Sequence, residues 1–142
     1  MTPALSVTIP GDAEGISAIC RDIRLEVAGR TDPDMAARVE LVLAEALNNV
    51  VEHGYQGRSE HPIQVELHLD SAGIRLVVID HSQQSFSIPT HASMPDFNPD
   101  DPDTFPEGGF GLAIILQCTD QVTTERHGDA NHLILEFRKT EP

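Results

Sequence analysis

Residues 5–9, LSVTI, alternate apolar and polar like a short strand, and Pro10-Gly11 closes it. The period then changes. Ile16, Ile19, Ile23 and Val27 recur at helical spacing over residues 12–29, with Asp12 as N-cap and Gly29 at the end. A second helix starts at Asp32-Pro33, a capping residue followed by proline in the first turn, and is predicted to run to His53 with Gly54 as its C-cap. On its wheel Leu43, Ala46, Leu47 and Val50 form the buried stripe, while Glu45, Asn48, Asn49, Glu52 and His53 lie opposite.

Beyond residue 62 the pattern is that of strands. IQVELHL (63–69) alternates, DSAG (70–73) is a turn, and IRLVVID (74–80) is apolar enough for a central strand. A second hairpin is predicted over 121–127 and 132–138, joined by the turn GDAN. Between the hairpins lies FSIPTHASMPDFNPDDPDTFPE (86–107), which holds five of the ten prolines, five acids and no Lys or Arg. That composition cannot carry a regular element, so it reads as a functional lid or a disordered insert. GGFGLAIILQCTD (108–120) then reads as a glycine-rich turn entering a short apolar helix. Strand, two helices, hairpin, loop, helix, hairpin is the order of an α+β two-layer sandwich, a mixed, mostly antiparallel sheet covered on one face by helices. Residues 1–142 form one domain without internal repeats.

Composition narrows the function classes. Hydrophobic residues make up 39% and aromatic residues only 4%, so the core is aliphatic. Twenty-three acidic against nine basic residues give a formal net charge of −14. Sparse, scattered arginines exclude a nucleic-acid phosphate backbone and an anionic membrane surface as partners. Cys20 and Cys118 are too few for a disulfide framework. The N-terminus lacks a basic start and a long apolar run, and no segment reaches the length of a membrane span. The expectation is a cytoplasmic protein.

Three features could carry chemistry. Glu45, Asn49 and His53 fall on one helix face, where Glu45 offers a carboxylate base and Asn49 a neutral oxygen suited to a hard cation. Taken alone, this stripe is better explained as a solvated face. Asp80 ends the apolar strand and could accept a hydrogen bond from an exocyclic amine, although strands often end on Asp for its turn preference. In EGGFGL (107–112), Gly108, Gly109 and Gly111 let the backbone approach a ligand ahead of a helix N-terminus. A helix entry that merely needs flexible glycines explains it equally well.

In combination the three are more specific. ExxxNxxxHGY, a strand ending in Asp, and GGxGL, in that order, resemble the Bergerat-type ATP-binding fold shared by gyrase, Hsp90, histidine kinases and MutL. EALNNVVEHGY and EGGFGLAIILQCTDQV further resemble its stand-alone branch, the anti-sigma factor serine/threonine kinases, over roughly residues 5–139. The resemblance implies ATP and Mg2+ as cofactors. Asn49 would hold the Mg2+ that bridges the phosphates, and Glu45 would accept the proton of a substrate hydroxyl. Asp80 would bind the adenine amine, with Ser82 beside the base. Gly108, Gly109, Phe110, Gly111 and Leu112 would hold the phosphates, and 86–107 would be the ATP lid. His53 would be structural, bonded to a nearby carbonyl. The implied activity is phosphorylation of a serine or threonine on a STAS-domain anti-anti-sigma protein, which competes with a sigma factor for the kinase. The implied assembly is a homodimer.

Two departures stand out. The family continues its Asp motif with glycines, whereas this chain reads DHSQQSF (80–86) with none. Ser82 there implies weaker nucleotide binding or an altered loop, and supports an alternative in which a catalytically weak module only sequesters its partner. The lid also carries Asp96, Asp100, Asp101, Asp103 and Glu107, like charges near an anionic nucleotide, which suggests a basic partner patch as their counterpart.

Overall fold

The computed structural model describes residues 3–55, 58, 61–83, 101 and 111–138. Its elements are β1 (Leu5–Pro10), α1 (Ala13–Ala28), α2 (Pro33–Asn49), a π-helical turn (Val50–Gly54), β2 (Pro62–Leu69), β3 (Gly73–Asp80), α3 (Gly111–Cys118), β4 (Gln121–His127) and β5 (Ala130–Arg138). Five strands form one sheet in the order β1-β2-β3-β5-β4. All four described pairings are antiparallel, so the sheet is more regular than the mixed one expected. The α+β architecture is as the sequence implied.

Both long helices begin as their caps dictate. The Asp12 carboxylate accepts from the Gly15 amide at 2.7 Å, and that of Asp32 from the Met35 amide at 2.8 Å. Each satisfies an amide that the first turn leaves without a partner. α1 buries Ile19, Ile23 and Val27, and α2 buries Val39, Val42, Leu43, Ala46 and Leu47. These meet Ile63, Val65 and Leu67 of β2, Leu76 and Val78 of β3, and Leu135 and Phe137 of β5 in one aliphatic core. α3 adds Ile114, Ile115 and Cys118. Cys20 and Cys118 are both buried. β3 is central because it is flanked by β2 and β5, and its outer side carries a second cluster of Val77 and Ile79 with Ile134. Burial on both faces explains why its sequence is a run of apolar residues without alternation.

Two boundaries differ from the sequence reading, and both matter for the site. α2 stops at Asn49, and the chain widens into the π turn instead of continuing regularly to His53. The Tyr55 amide closes that turn on the Val50 carbonyl at 2.8 Å, so Gly54 lies inside the turn and Tyr55 ends it. The second hairpin turns on Gly128-Asp129 alone, with His127 paired to Ala130. Two-residue connections suit the twist of paired strands, so the expected four-residue turn GDAN is too long. β5 therefore starts two residues early, and Asn131 becomes a strand residue directly opposite Asp80.

Candidate nucleotide site

α2 and the end of β3 face each other across a cavity of about 280 Å3, lined among others by Ala46, Asn49, Val50, Asp80, Thr124 and Arg126. Asn49 comes from the last turn of α2 and Asp80 from the last position of β3. The sheet register brings Asn131 beside Asp80, and the β4–β5 hairpin brings Arg126 opposite Asn131.

On the helix side, Glu45 and Asn49 are half-buried, one turn apart. A methyl group added at Gly111 would sit 2.7 Å from Glu45 Oε2 and 3.6 Å from both terminal atoms of the Asn49 amide. The start of α3 thus lies directly against the proposed base and metal ligand, and glycine is the residue that permits the approach. Burial pushes the Glu45 carboxyl above its ordinary range, and the nearby Glu52 charge adds to this. Asn49 Nδ2 is buried and has no hydrogen-bond partner among the described residues. Leu112 is half-buried in the first turn of α3 and does not line the cavity. Gly108, Gly109, Phe110 and, except for Asp101, the proposed lid 86–107 lie outside the described residues. His53 is exposed and makes no hydrogen bond to a carbonyl among the described residues, contrary to the expectation of a helix-end bond.

The sheet side is densely bonded. Asp80 is only 6% exposed, and its Oδ1 accepts from the Ser82 amide at 2.9 Å and from Asn131 Nδ2 at 3.0 Å. Asn131 Nδ2 also lies 3.1 Å from both the Ser82 carbonyl and the Ser82 hydroxyl. Arg126 donates to Asn131 Oδ1 at 2.7 Å and to the Ser82 carbonyl at 3.3 Å. The Ser82 side chain is buried, and a methyl group at Gly54 would come within 3.0 Å of its hydroxyl. Its extra atoms occupy the space left by Gly54 in the π turn. Ser82 is not among the residues that line the cavity.

Tyr55 braces this wall from behind. Its hydroxyl donates to the Pro62 carbonyl at 2.8 Å and accepts from the His81 amide at 2.9 Å, while its ring stacks on His61 with centroids 4.8 Å apart. Burial raises the Tyr55 hydroxyl, the His81 amide lowers it and Asp80 raises it again. The net upward shift keeps the proton that the Pro62 bond needs. Sequence reasoning assigned no role to Tyr55, Arg126 or Asn131. Tyr55 is the only tyrosine of the chain, which was a usable signal; Asn131 was hidden by the assumed length of the turn.

A divalent cation with phosphates fits this donor set. Among the described residues no group of three or more His, Cys, Asp or Glu side chains could hold a metal, so a cation here would draw most of its ligands from the nucleotide. The Asn49 amide, whose nitrogen has no partner among the described residues, could turn its oxygen to such an ion.

The comparisons agree with this geometry. Residues 9–137 match the family described as histidine kinase-like ATPase domain. The chain is 30% identical over 110 residues to the anti-sigma F factors of Bacillus thuringiensis (strain Al Hakam) and Bacillus mycoides (strain KBAB4), covering 72% of this chain and 71% of each relative. Two solved structures share the fold. The RsbU and RsbW domains of Rv1364c from Mycobacterium tuberculosis superpose with a TM-score of 0.66 at 21% identity over 99% of this chain, which spans 34% of that longer polypeptide. The SiaB-SiaC complex from Pseudomonas aeruginosa contributes a chain with a TM-score of 0.62 at 14% identity, over 95% of this chain and 89% of that one. Among the described residues no helix is long and apolar enough to cross a membrane. The chain belongs to the histidine kinase-like ATPase domain family, within its anti-sigma factor branch.

Proposed function

We propose that this protein is a regulatory serine/threonine kinase of the anti-sigma type, which uses Mg-ATP to phosphorylate a STAS-domain partner in a partner-switching system. The observation that carries the reading is the close packing of Gly111 on Glu45 and Asn49, beside a cavity whose far wall is Asp80. Asp80 would take the amine of adenine, and the phosphates would extend along α2 toward the start of α3, where backbone amides favour anions. Mg2+ on the Asn49 oxygen would neutralise charge on the phosphates. Glu45 would accept the proton of the attacking serine hydroxyl. Its raised pKa, caused by burial and by the nearby Glu52 charge, makes it a stronger base than a solvated glutamate.

The relatives named as anti-sigma F factors support a sigma factor as the competing partner. The neighbour solved as a SiaB-SiaC complex is in keeping with a protein partner for a chain of this fold. A module that sequesters its partner without phosphotransfer is the alternative, and it draws on the missing glycines after Asp80. At Ser82 that support weakens, because the side chain is lodged against Gly54 and Asn131. The test is transfer of labelled phosphate from Mg-ATP to a STAS protein encoded beside this gene. Label on the partner with the wild-type chain, and none with Asn49→Ala, is expected. Transfer undiminished by Asn49→Ala would sink the assignment.

A further inference from the structure

Asp80 meets its surroundings asymmetrically. Oδ1 already takes two donors, the Ser82 amide and Asn131 Nδ2. Oδ2 has no hydrogen-bond partner among the described residues, and Asp80 lines the cavity. A ligand therefore meets one free carboxylate oxygen. The second of these donors depends on the orientation of the Asn131 amide, and that orientation is set from the edge strand. Arg126 lies opposite Asn131 in the β4–β5 register and donates to its oxygen at 2.7 Å. A guanidinium has no acceptor, so it fixes the amide with its oxygen toward β4 and its NH2 toward Asp80.

We infer that Arg126 is a positioning residue for purine selectivity: through Asn131 it holds Asp80 as a single acceptor, matched to a 6-aminopurine and mismatched to a 2-amino-6-oxopurine. The inference rests on the reading of the cavity as a nucleotide site. A 6-aminopurine offers one exocyclic amine, which one oxygen satisfies. A 2-amino-6-oxopurine presents two adjacent donors, a ring N–H and an amine, which a carboxylate satisfies with both oxygens. Here the second oxygen is taken, so one ligand donor loses its water without gaining a partner, and such unpaired groups discriminate strongly. Without the guanidinium, the Asn131 oxygen loses its charged donor and the side chain can swing toward water, leaving Oδ1 with the Ser82 amide alone and room for a second donor from the ligand.

The test is calorimetric titration of the full-length chain with Mg-ADP and Mg-GDP, using wild type, Arg126→Ala, Arg126→Lys and Asn131→Asp, each checked for folding by circular dichroism. Wild type should prefer ADP by at least about ten-fold, a typical effect of one unpaired polar group. Arg126→Ala should narrow that ratio about ten-fold, and Arg126→Lys, which keeps a charged donor for Asn131, should restore most of it. Asn131→Asp keeps the shape but removes both amide donors, and should weaken ADP binding at least about ten-fold. A wild type without purine preference, or an Arg126→Ala protein with the wild-type ratio, overturns the inference and leaves the nucleotide site standing. Wild type that binds neither nucleotide overturns the nucleotide reading, and this inference with it.

Discussion

The two ends of the cavity are built on opposite plans. At the sheet end, Asp80, Ser82, Asn131 and Arg126 hold one another in a network of bonds between 2.7 and 3.3 Å, braced by Tyr55. At the helix end, Glu45 and Asn49 point from adjacent turns, and neither side chain makes a hydrogen bond to another described residue. Half-burial of a carboxylate and an amide without partners is unfavourable for the folded chain. On the proposed reading the contrast separates recognition from reaction. The end that would bind the base is held by its own hydrogen bonds before any ligand arrives, while the end that would meet phosphate keeps its polar groups without partners among the described residues. That second end should exchange stability for activity, as functional sites commonly do.

Glu45→Gln breaks the comparison most severely. It should lower phosphotransfer by roughly 100- to 10,000-fold, the usual contribution of a general base. The same change should stabilise the fold. Because the Glu45 pKa is raised above 4.5, the folded state holds this proton more tightly than the unfolded chain does. The associated stability is fully present below pH 4.5 and is lost as pH rises through the folded value. Glutamine mimics the protonated form, so the variant should melt with wild type in acid and above it at neutral pH. Thermal melts across that range check the sign; a variant that melts lower at neutral pH refutes the account.

Gly111→Ala tests the same end from the other side. The added methyl would lie 2.7 Å from Glu45 Oε2, so the carboxylate must move. A misplacement of about an ångström costs on the order of 100-fold in rate. Phosphotransfer should fall by that order while Mg-ADP affinity falls less, which a titration beside the transfer assay resolves. Equal losses in both would mean that the glycine serves binding alone.

Tyr55→Phe sharpens the sheet end. It removes the hydroxyl that joins the Pro62 carbonyl to the His81 amide. The cost should be about 1–3 kcal/mol, the penalty for groups left unpaired, read as a lower urea midpoint with an unchanged m-value. Nucleotide affinity should fall as well, because His81 follows Asp80 directly.

How far the sequence reached follows the same division. Helix faces repeat over long segments, so Glu45 and Asn49 could be placed together from spacing alone, and strand alternation gave the hairpins around them. The sheet end was less legible because it depends on register. Moving the start of β5 from residue 132 to Ala130 is a small error along the chain, yet it decides whether Asn131 is a turn residue or the partner of Asp80. The π turn was equally invisible, since nothing in VVEHGY breaks the helical pattern. The packing of Ser82 was hidden for the same reason. Its fit depends on Gly54, and that pair meets only because the turn widens.

Gly54→Ala carries the smallest expected effect and the most local information. Alanine is ordinarily the better residue in a helical turn, by up to about 1 kcal/mol. Here its methyl would stand 3.0 Å from the Ser82 hydroxyl and 3.2 Å from the Ser82 Cβ, too close unless one side gives way. The two effects oppose each other, so the single variant should be neutral or destabilised by about 1 kcal/mol. Combined with Ser82→Gly, the clash vanishes and only the helical gain remains. Chemical denaturation of the four proteins should therefore show a coupling of roughly 0.5–2 kcal/mol, as expected for residues in contact. An additive cycle would mean that Ser82 does not depend on Gly54, and the serine would again have to be accommodated at the expense of the cavity. A coupled one makes glycine and serine a single exchanged unit, with the small residue moved from the strand end to the turn that faces it.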